Sequence, residues 1–200
     1  MMWAFFMSKI DEIYKHFPSL NSRKRREGLI SRMDELEKQG IHCFDCIGNC
    51  CTFESNSMQT SPIETVEVYL WLKSEGRWDT SLEEIKESIR LYRLDKEIAT
   101  GDGTFFRRTY TCPFFKVQSK GCSLSRSIKP YGCLGFNPTE TGVKEGVSCT
   151  IAKDALEKRA PDDLDFESKA NQWLKNLLGL YWDKLPLPLA LVKIDELLSE

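Results

Sequence analysis

The chain has 200 residues, enough for one domain with a substantial hydrophobic core, so cysteines are not needed to hold a small fold together. Its 28 basic and 30 acidic residues give a net charge of -2, which provides no electrostatic reason to expect nucleic acid or an anionic membrane as a partner. The apolar N-terminus is short and no segment approaches the roughly 20 apolar residues of a transmembrane helix, so we expect a cytoplasmic protein.

The first 40 residues predict a charged helical extension. The stretch from residue 8 onward lacks cysteine and ends at Gly40, a residue suited to the position that follows a helix. It contains the basic cluster Arg23-Lys24-Arg25-Arg26. Such a cluster usually forms a solvated helix face, and we favour this interpretation over the docking of an acidic partner.

Two capping boxes predict the next pair of helices. Ser61-Pro62-Ile63-Glu64 combines a capping residue with a proline at the first helical position, which predicts a helix over 62–75 that Gly76 ends. Ser81-Leu82-Glu83-Glu84 predicts the start of a second helix that continues to about Ile98. This helical pair separates two groups of cysteines.

A change in composition after residue 100 predicts β structure and loops. Aromatic and β-branched residues are concentrated in 104–111, which is typical of a short strand. The segment 112–122 has the pattern of a hairpin, which would bring Cys112 and Cys122 together. Glycines and prolines make the chain from there to Cys149 rich in loops that can bend around a site.

The last 50 residues return to helix. Apolar side chains recur at three- and four-residue steps from Phe166 to Leu185, including Tyr181. Pro186 and Pro188 interrupt the pattern before a short final helix. We expect this apolar face to pack on the protein's own core, the alternatives being a partner or a membrane surface.

Eight cysteines are the strongest functional signal in the chain. Four form the cluster Cys43-x2-Cys46-x3-Cys50-Cys51, and the others are Cys112, Cys122, Cys133 and Cys149. Zinc and iron both prefer sulfur ligands, and close spacing lets a tight turn aim two thiolates at one ion, so all eight are candidate metal ligands. They suffice for two four-coordinate sites or for one site with spares. In a reducing compartment, this clustering disfavours the alternative of free buried thiols or disulfides.

The spacing of the four cysteines in the cluster argues against two known classes of iron–sulfur protein. The spacings of bacterial ferredoxins and of radical S-adenosylmethionine enzymes are absent, because Asn49 and Phe53 stand where those motifs need cysteine. Consecutive side chains in an extended segment point to opposite sides. We therefore expect one of Cys50 and Cys51 to join the other two cysteines of the cluster, and the other to face a second centre or no metal.

Cations between the later cysteines are candidates to offset the negative charge of metal-bound thiolates. They are Arg107, Arg108, Lys116, Lys120, Arg126 and Lys129. We interpret His16 and His42 as structural or solvent-facing, although His42 is a candidate for a mixed Cys/His site. Two histidines without a nucleophile–base pattern give little support for hydrolytic catalysis.

Three sequence blocks span about 40–150. They are the cluster from Cys43 to Cys51 with the helix start at 60–64, the segment Cys112-Pro113-Phe114-Phe115, and the segments 121–124 and 129–136 around Cys122 and Cys133. In these blocks the chain resembles the cysteine-cluster proteins of YkgJ type, described as zinc- or iron-chelating domains. That family usually carries arginines around its later cysteine, where this chain has Lys129 and Leu134, which weakens a shared anion- or partner-binding role for them. The resemblance implies a chelating domain, sometimes labelled iron–sulfur or oxidoreductase, and no established reaction.

The sequence as a whole predicts an α+β fold, mainly α, in which helices enclose a metal-organised cysteine-rich core with a short β-hairpin. Its parts are an N-terminal helical extension (1–40), a cysteine-cluster metal-binding domain (41–150) and a C-terminal helical segment that packs on the same domain (151–200). We expect a metal-binding protein that coordinates an iron–sulfur cluster or zinc in a structural or redox role. Two alternatives stay open: a zinc-stabilised module that binds a protein partner without catalysis, and an oxidoreductase, or its accessory protein, with a redox-active cluster.

Overall fold

The computed structural model describes residues 22–43, 48–101, 106–116, 121–141, 149–157, 159 and 161–199. The helices in these residues are α1 Ser22–Lys38, α2 Pro62–Ser74, α3 Trp78–Tyr92, α4 Tyr131–Leu134, α5 Lys153–Glu157, α6 Pro161–Leu178 and α7 Leu187–Ser199. The strands are β1 Gln59–Thr60, β2 Phe115–Lys116, β3 Gly121–Cys122, β4 Phe136–Pro138, β5 Cys149–Ile151 and β6 Leu185–Pro186. The predicted fold class, α+β and mainly helical, is confirmed for this part of the chain.

The strands form small antiparallel sheets of two strands each. They pair β1 with β6, β2 with β3, and β4 with β5. In the first pair Thr60 lies opposite Leu185, which joins the start of α2 to the start of α7. Sheets of this size cannot form a layer of their own, so the helices supply the core. In the described residues, no helix combines the length and the apolar character that crossing a bilayer requires.

Helix α2 lies at the centre of the hydrophobic core, where it contacts α6 and α7. Its buried apolar side chains are Ile63, Val66, Val68, Tyr69 and Leu72. The rings of Tyr69 and Trp78 meet edge to face with their centroids 4.7 Å apart, which fixes the start of α3 against α2. Cys112 and Cys122 are partly buried and pack against the same core, so the candidate site is attached to the most tightly packed part of the molecule.

The predicted ends of α1 and α2 are confirmed. Gly40 and Gly76 adopt left-handed φ angles of 75° and 64°, which glycine reaches without steric cost. In both cases the next residue bonds to a carbonyl five residues earlier, as the N–H of Ile41 does to the oxygen of Leu36 at 2.9 Å. Both helices therefore end in a Schellman turn. The first part of the predicted N-terminal helix, 8–21, lies outside the described residues.

Of the two predicted capping boxes, only the first starts a helix. The carboxylate of Glu64 accepts the N–H of Ser61 at 3.0 Å, and α2 begins directly after Ser61 as predicted. The second prediction is wrong, because α3 begins at Trp78 and buries Ser81 in its first turn. Burial of the Trp78 ring right after the Gly76 turn starts the helix three residues before the predicted cap.

Helix α3 also ends earlier than the sequence predicts. It stops at Tyr92 instead of continuing to about Ile98. Arg93 takes a left-handed φ of 52°, and the N–H of Leu94 then bonds to the oxygen of Ile89 at 3.1 Å. Leu94 is 5% exposed, so its burial on this turn offsets the cost of the left-handed arginine.

The strand predicted over 104–111 is wrong for its described part, 106–111, which is extended but belongs to no sheet. Tyr110 exchanges hydrogen bonds with Asn56 instead: its N–H donates to the Asn56 oxygen, and its own oxygen accepts the Asn56 amide, both at 2.9 Å. A loop thus takes the place of a partner strand. The hairpin predicted over 112–122 is confirmed by the pairing of β2 with β3.

The predicted apolar face of the C-terminal helix packs on the protein's own core. Phe166, Ala170 and Leu174 of α6 are at most 6% exposed. Tyr181 was grouped with this face by its spacing, but α6 ends at Leu178 and Tyr181 is 78% exposed, so that assignment is wrong. Proline is no obstacle to α7, because Pro188 lies in its first turn, where the N–H has no intrahelical partner.

Candidate metal centre

Five cysteines line one small internal cavity of about 30 Å³, which we call the sulfur cavity. Cys50 and Cys51 come from the loop before β1, Cys112 and Cys122 from the β2–β3 hairpin and the residues before it, and Cys133 from α4. No disulfide joins any two of the seven cysteines that the structure describes. Tertiary folding therefore brings together sulfurs that are far apart in the sequence.

Cys50 and Cys51 lie in a short 3₁₀ turn, Asn49–Cys51. Their sulfurs are 3.9 Å apart and both line the sulfur cavity. The extended backbone on which the prediction for this pair rests is wrong, because the tight turn keeps both side chains on one side. That one sulfur joins the rest of the cluster, and the other a second centre or no metal, stays a prediction. Four sulfurs bound 2.3 Å from a zinc ion would be about 3.8 Å from one another in a tetrahedron, so this pair has the spacing of two ligands of one ion.

Cys112 is fixed by backbone hydrogen bonds. Its N–H donates to the oxygen of Cys51 at 2.8 Å, which ties the hairpin to the 3₁₀ turn. In the following turn, the Phe115 N–H donates to the Cys112 carbonyl oxygen at 3.0 Å, and the N–H groups of Phe114 and Phe115 act to lower the pKa of the Cys112 thiol. Backbone donors of this kind spread the negative charge of a metal-bound thiolate.

The enclosed thiols nevertheless hold their protons tightly. Burial, reinforced by the neighbouring Cys122, raises the pKa of Cys112 to about 12. Burial raises the pKa of Cys133 well above its usual range, with Cys112 and Cys122 adding to the effect. A hydrogen bond with Cys51, followed by burial, raises the pKa of Cys50. Thiols that oppose one another's ionisation gain most from a shared cation, whose binding releases their protons.

Lys129 is the cation that acts on these sulfurs. Its side chain lines the sulfur cavity, and its charge lowers the pKa of Cys50, Cys112 and Cys133 against the larger effects of burial. Of the other cations singled out in the sequence, Arg126 pairs with carboxylates of α1, Lys116 pairs with Glu84, and Arg108 donates to the Tyr92 carbonyl oxygen. Arg107 is not among the residues that line the sulfur cavity, and Lys120 lies outside the described residues. Lys129 is therefore the residue placed to offset thiolate charge.

Two glycines allow the hairpin to close against the cysteine loop. Gly48 has φ 83°, and a Cβ built on it would lie 2.1 Å from the ring of Phe115, so only glycine lets that ring pack beside the turn that carries Cys50. Gly121 has φ 69°, and a Cβ there would lie 3.5 Å from the carbonyl oxygen of Cys43. Cys43 is thus close to the hairpin, beside the cavity.

Tyr110 and Asn56 form a polar wall of the sulfur cavity. The Tyr110 hydroxyl donates to the oxygen of Met58 at 2.6 Å and accepts the N–H of Leu187 at 3.3 Å. Since Leu187 is the first residue of α7, this hydroxyl connects the cavity to the central core.

The other candidate ligands are placed differently. Cys43 and His42 line a larger neighbouring cleft. Cys149 lies in β5 and is not among the residues that line either the cleft or the sulfur cavity. Cys46 and His16 lie outside the described residues. The structure therefore brings five of the eight predicted ligands together and places Cys43 beside them.

In the described part of the chain, no three Cys, His, Asp or Glu side chains stand close enough together to hold a metal ion as they are. The five cysteines line one cavity, and their side chains would have to turn inward to bring the sulfurs to a common ion. The donor set fits a metal that prefers thiolates, because it combines five sulfurs with backbone N–H donors and one lysine.

Arg25 and Arg26 of α1 are buried, at 4% and 0% exposure, so the prediction of a solvated basic face is wrong for these two residues. Both contact Glu67 of α2, and Arg25 also pairs with Glu167 of α6 at 2.5 Å. A guanidinium tolerates burial when it meets a carboxylate with good geometry. The N-terminal helix is thereby joined to two helices of the core.

The same contacts hold α4 in place. Arg25 donates to the Tyr131 hydroxyl at 2.6 Å, and Arg26 donates to the carbonyl oxygen of Lys129 at 2.8 Å. Arg159 pairs with Glu167 and stacks on the Tyr131 ring. We call these residues the arginine cluster: Arg25, Arg26, Glu67, Tyr131, Arg159 and Glu167. It supports one wall of the sulfur cavity, because α4 also carries Cys133.

The arginine cluster was missed by sequence reasoning, although one signal for it exists. Arg26 lies three and seven residues before Leu29 and Met33, on the apolar stripe by which α1 contacts α4. A charged residue on an apolar stripe indicates a buried ion pair. Its acidic partner Glu67 could not be identified locally, since it lies 41 residues away.

A larger cleft of about 1000 Å³ adjoins the sulfur cavity. Cys50, Cys51, Cys122 and Cys133 line both spaces, whereas Cys112 lines only the inner one. Lys129 also lies at this boundary. The sulfur cavity therefore has one side toward the cleft and one side toward the core.

No protein-family model, no curated protein and no solved structure matches this chain. The resemblance to the cysteine-cluster family accordingly remains a prediction from the cysteine blocks.

Proposed function

We propose that this is a metal-binding protein that holds zinc or an iron–sulfur cluster through cysteine thiolates at the sulfur cavity. The observation that carries the proposal is the convergence of Cys50, Cys51, Cys112, Cys122 and Cys133 on one space of about 30 Å³. Free cysteines can gather because they pack as small apolar residues, but a shared ion also accounts for five of them from three chain segments around one space with a lysine in its wall.

The surroundings of the cavity support this proposal. Four thiolates around Zn²⁺ carry a net charge of about -2, which must be offset nearby. Lys129 supplies a positive charge at the cavity, and the backbone N–H groups of Phe114 and Phe115 act to lower the pKa of Cys112. The bound metal would supply the cation that the thiolates share, while the role of this chain is to place and insulate them.

The size of the cavity favours a single ion such as zinc. A volume of about 30 Å³ corresponds to roughly two water-sized spheres, which suits one ion better than a cube of iron and sulfide. Five thiols also exceed the four of a tetrahedral site, so one of them is surplus. On this interpretation the centre has a structural role.

A redox-active iron–sulfur cluster is the second candidate, and one observation favours it. Four of the five cysteines also line the large cleft, so the centre has a side open to an electron-transfer partner or a substrate. Structural zinc sites are usually closed, whereas the potential of an iron–sulfur cluster depends on its exposure.

Metal analysis and an absorption spectrum of anaerobically purified protein test the proposal. We expect about one zinc per chain in a colourless protein. Iron with acid-labile sulfide, in a brown protein whose visible band bleaches on reduction, would establish the second candidate. Protein that folds with neither metal, and takes up neither zinc nor iron and sulfide on reconstitution, would overturn both.

A pair of matched variants locates the centre. Cys112→Ser removes a sulfur from the inner wall of the cavity and should lower the bound metal well below one equivalent, while Cys149→Ser, outside both cavities, should leave it unchanged. Because Cys112→Ser also threatens folding, Cys122→Ser provides a second ligand variant at the rim. Equal metal content in all three variants and the original protein would contradict the proposed site.

A further inference from the structure

The cleft beside the sulfur cavity has the size and walls of a ligand site. Its volume of about 1000 Å³ is at the upper end of the range for small-molecule pockets. Apolar side chains that line it include Met33, Ile41, Leu124, Phe136, Ile151 and Leu156. These side chains offer surface to the uncharged body of a ligand.

The carboxylates in the cleft wall are already engaged. Glu37 pairs with Arg126, and Glu64 accepts the N–H of Tyr131 at 2.9 Å. Glu167 belongs to the arginine cluster, where two guanidinium groups contact it. None of these carboxylates therefore stands ready to bind a cationic ligand.

The cleft wall also contains cations that, among the described residues, are not engaged in ion pairs. Arg107, Lys129 and Lys184 line the cleft, and no carboxylate of the described residues pairs with any of them. Lys129 acts on the sulfurs, but Arg107 and Lys184 are absent from the sulfur cavity. Arg107 lies three residues before Tyr110, whose N–H bonds to Asn56. Lys184 directly precedes β6, which pairs with β1.

We propose that this cleft binds an anionic small molecule, whose carboxylate or phosphate group lies against Arg107, Lys184 and Lys129 and whose apolar part contacts the apolar side chains that line the same cleft. Charge complementarity selects the anion, because among the described residues of the cleft three cations have no carboxylate partner, whereas each carboxylate is engaged. The ligand would then lie next to the four cysteines that the cleft shares with the sulfur cavity. This inference goes beyond metal binding and does not depend on which metal the centre holds.

Calorimetric titration of the metal-loaded protein with phenyl phosphate tests the inference. We expect binding that weakens as sodium chloride is raised, since the interaction is between charges in an open cleft. Inorganic phosphate should bind more weakly, because it lacks the apolar part, and phenol should not bind at the same concentrations. Absence of phenyl phosphate binding at low salt, or equal binding of phenol, would overturn the proposal.

Matched variants assign the binding to the cleft. Arg107→Gln and Lys184→Gln should each weaken binding of phenyl phosphate about fivefold, the effect of roughly one lost charge contact, and the double variant more than about tenfold. Lys169→Gln removes an exposed lysine of α6 that pairs with Asp165, away from the cleft, and should bind like the original protein. Unchanged binding in the double variant, or equal weakening in the control, would contradict the assignment.

Metal content is measured on the same samples, which separates this inference from the proposed function. Arg107 and Lys184 do not line the sulfur cavity, so both variants should keep the metal of the original protein. Metal without phenyl phosphate binding would overturn the inference alone. Binding without metal would overturn the proposed function alone.

Discussion

The arginine cluster and the sulfur cavity are two buried polar regions that meet at α4, and they differ in how their charges are balanced. In the arginine cluster every guanidinium contacts a carboxylate, although the Nε–H groups of Arg25 and Arg159 have no acceptor. In the sulfur cavity several thiols face one another, and among the described residues that line it Lys129 is the only cation. Burial of a charge is costly unless a partner compensates it. In the first region three guanidinium groups share two carboxylates of the protein. In the second, the proposed metal ion would supply the positive charge that the thiolates need.

The two regions are joined through three alternate positions, 129, 131 and 133, in α4 and the residues just before it. The carbonyl of Lys129 accepts a hydrogen bond from Arg26, while its side chain lines the sulfur cavity. Tyr131 belongs to the arginine cluster, and Cys133 follows two residues later in the same helix turn. The ion-pair network thus supports one wall of the cavity at which we propose a metal ion. This comparison predicts different consequences for damage to each region.

Removal of the metal should have the largest effect. A structural zinc ion contributes about 10–16 kcal/mol, comparable with the entire net stability of a domain. We expect chelation to lower Tm by more than about 15 °C, with amide protection lost in 48–56 and 110–134 before it is lost in α2 and α7. Circular dichroism melts and hydrogen exchange, before chelation and after zinc is returned, measure this. An unchanged Tm in protein shown to be metal-free would contradict this difference between the two regions, because the sulfur cavity would then need no bound ion for its stability.

Glu67→Gln should have the next largest effect. The change leaves Arg25 and Arg26 buried with one carboxylate fewer, and breaking a buried ion pair in this way costs about 3–5 kcal/mol. We expect Tm to fall by about 10 °C, while the protein that stays folded keeps its metal. Glu84→Gln is the control, since Glu84 pairs with Lys116 at the surface and its loss should cost less than about 1 kcal/mol. Similar losses in the two variants would show that the arginine cluster contributes no more than a surface pair.

The parts of the fold that the sequence predicts correctly are those set by local interactions. Gly40 and Gly76 end helices because glycine alone reaches left-handed φ angles without steric cost, whatever lies around it. Ser61 and Glu64 cap α2 through atoms only three residues apart. The wrong start of α3 has the opposite cause, because burial of Trp78 against Tyr69, a tertiary contact, overrides the capping signal at Ser81.

The same distinction between local interactions and tertiary contacts applies to the candidate site. Cysteine as the functional residue type and the hairpin that joins Cys112 to Cys122 could be predicted from residue identity and spacing. The common orientation of Cys50 and Cys51 could not, because it depends on a 3₁₀ turn that the sequence gives no reason to choose over extended backbone. In the arginine cluster, Arg25 and Arg26 contact residues of the other helices that are 41 to 142 positions away, which no local pattern encodes.

Of the three changes, Gly48→Ala should have the smallest effect on stability. It isolates the contribution of packing to the sulfur cavity, because it changes neither a sulfur nor a charge. The new methyl group would meet the Phe115 ring at 2.1 Å, and the backbone would keep a φ of 83° that alanine disfavours. We expect a loss of about 2–4 kcal/mol and at least tenfold weaker zinc binding, since the ring is pushed away from the turn that carries Cys50. Gly76→Ala separates the two causes: its φ of 64° is also left-handed, but a Cβ there has no atom within 4 Å, so only the backbone cost of about 1 kcal/mol remains and zinc binding should be unchanged. If both alanine variants bind zinc as tightly as the original protein, the packing of the hairpin on the cysteine loop does not set the geometry of the metal site, and the sulfur cavity would have to acquire its shape from the ion itself.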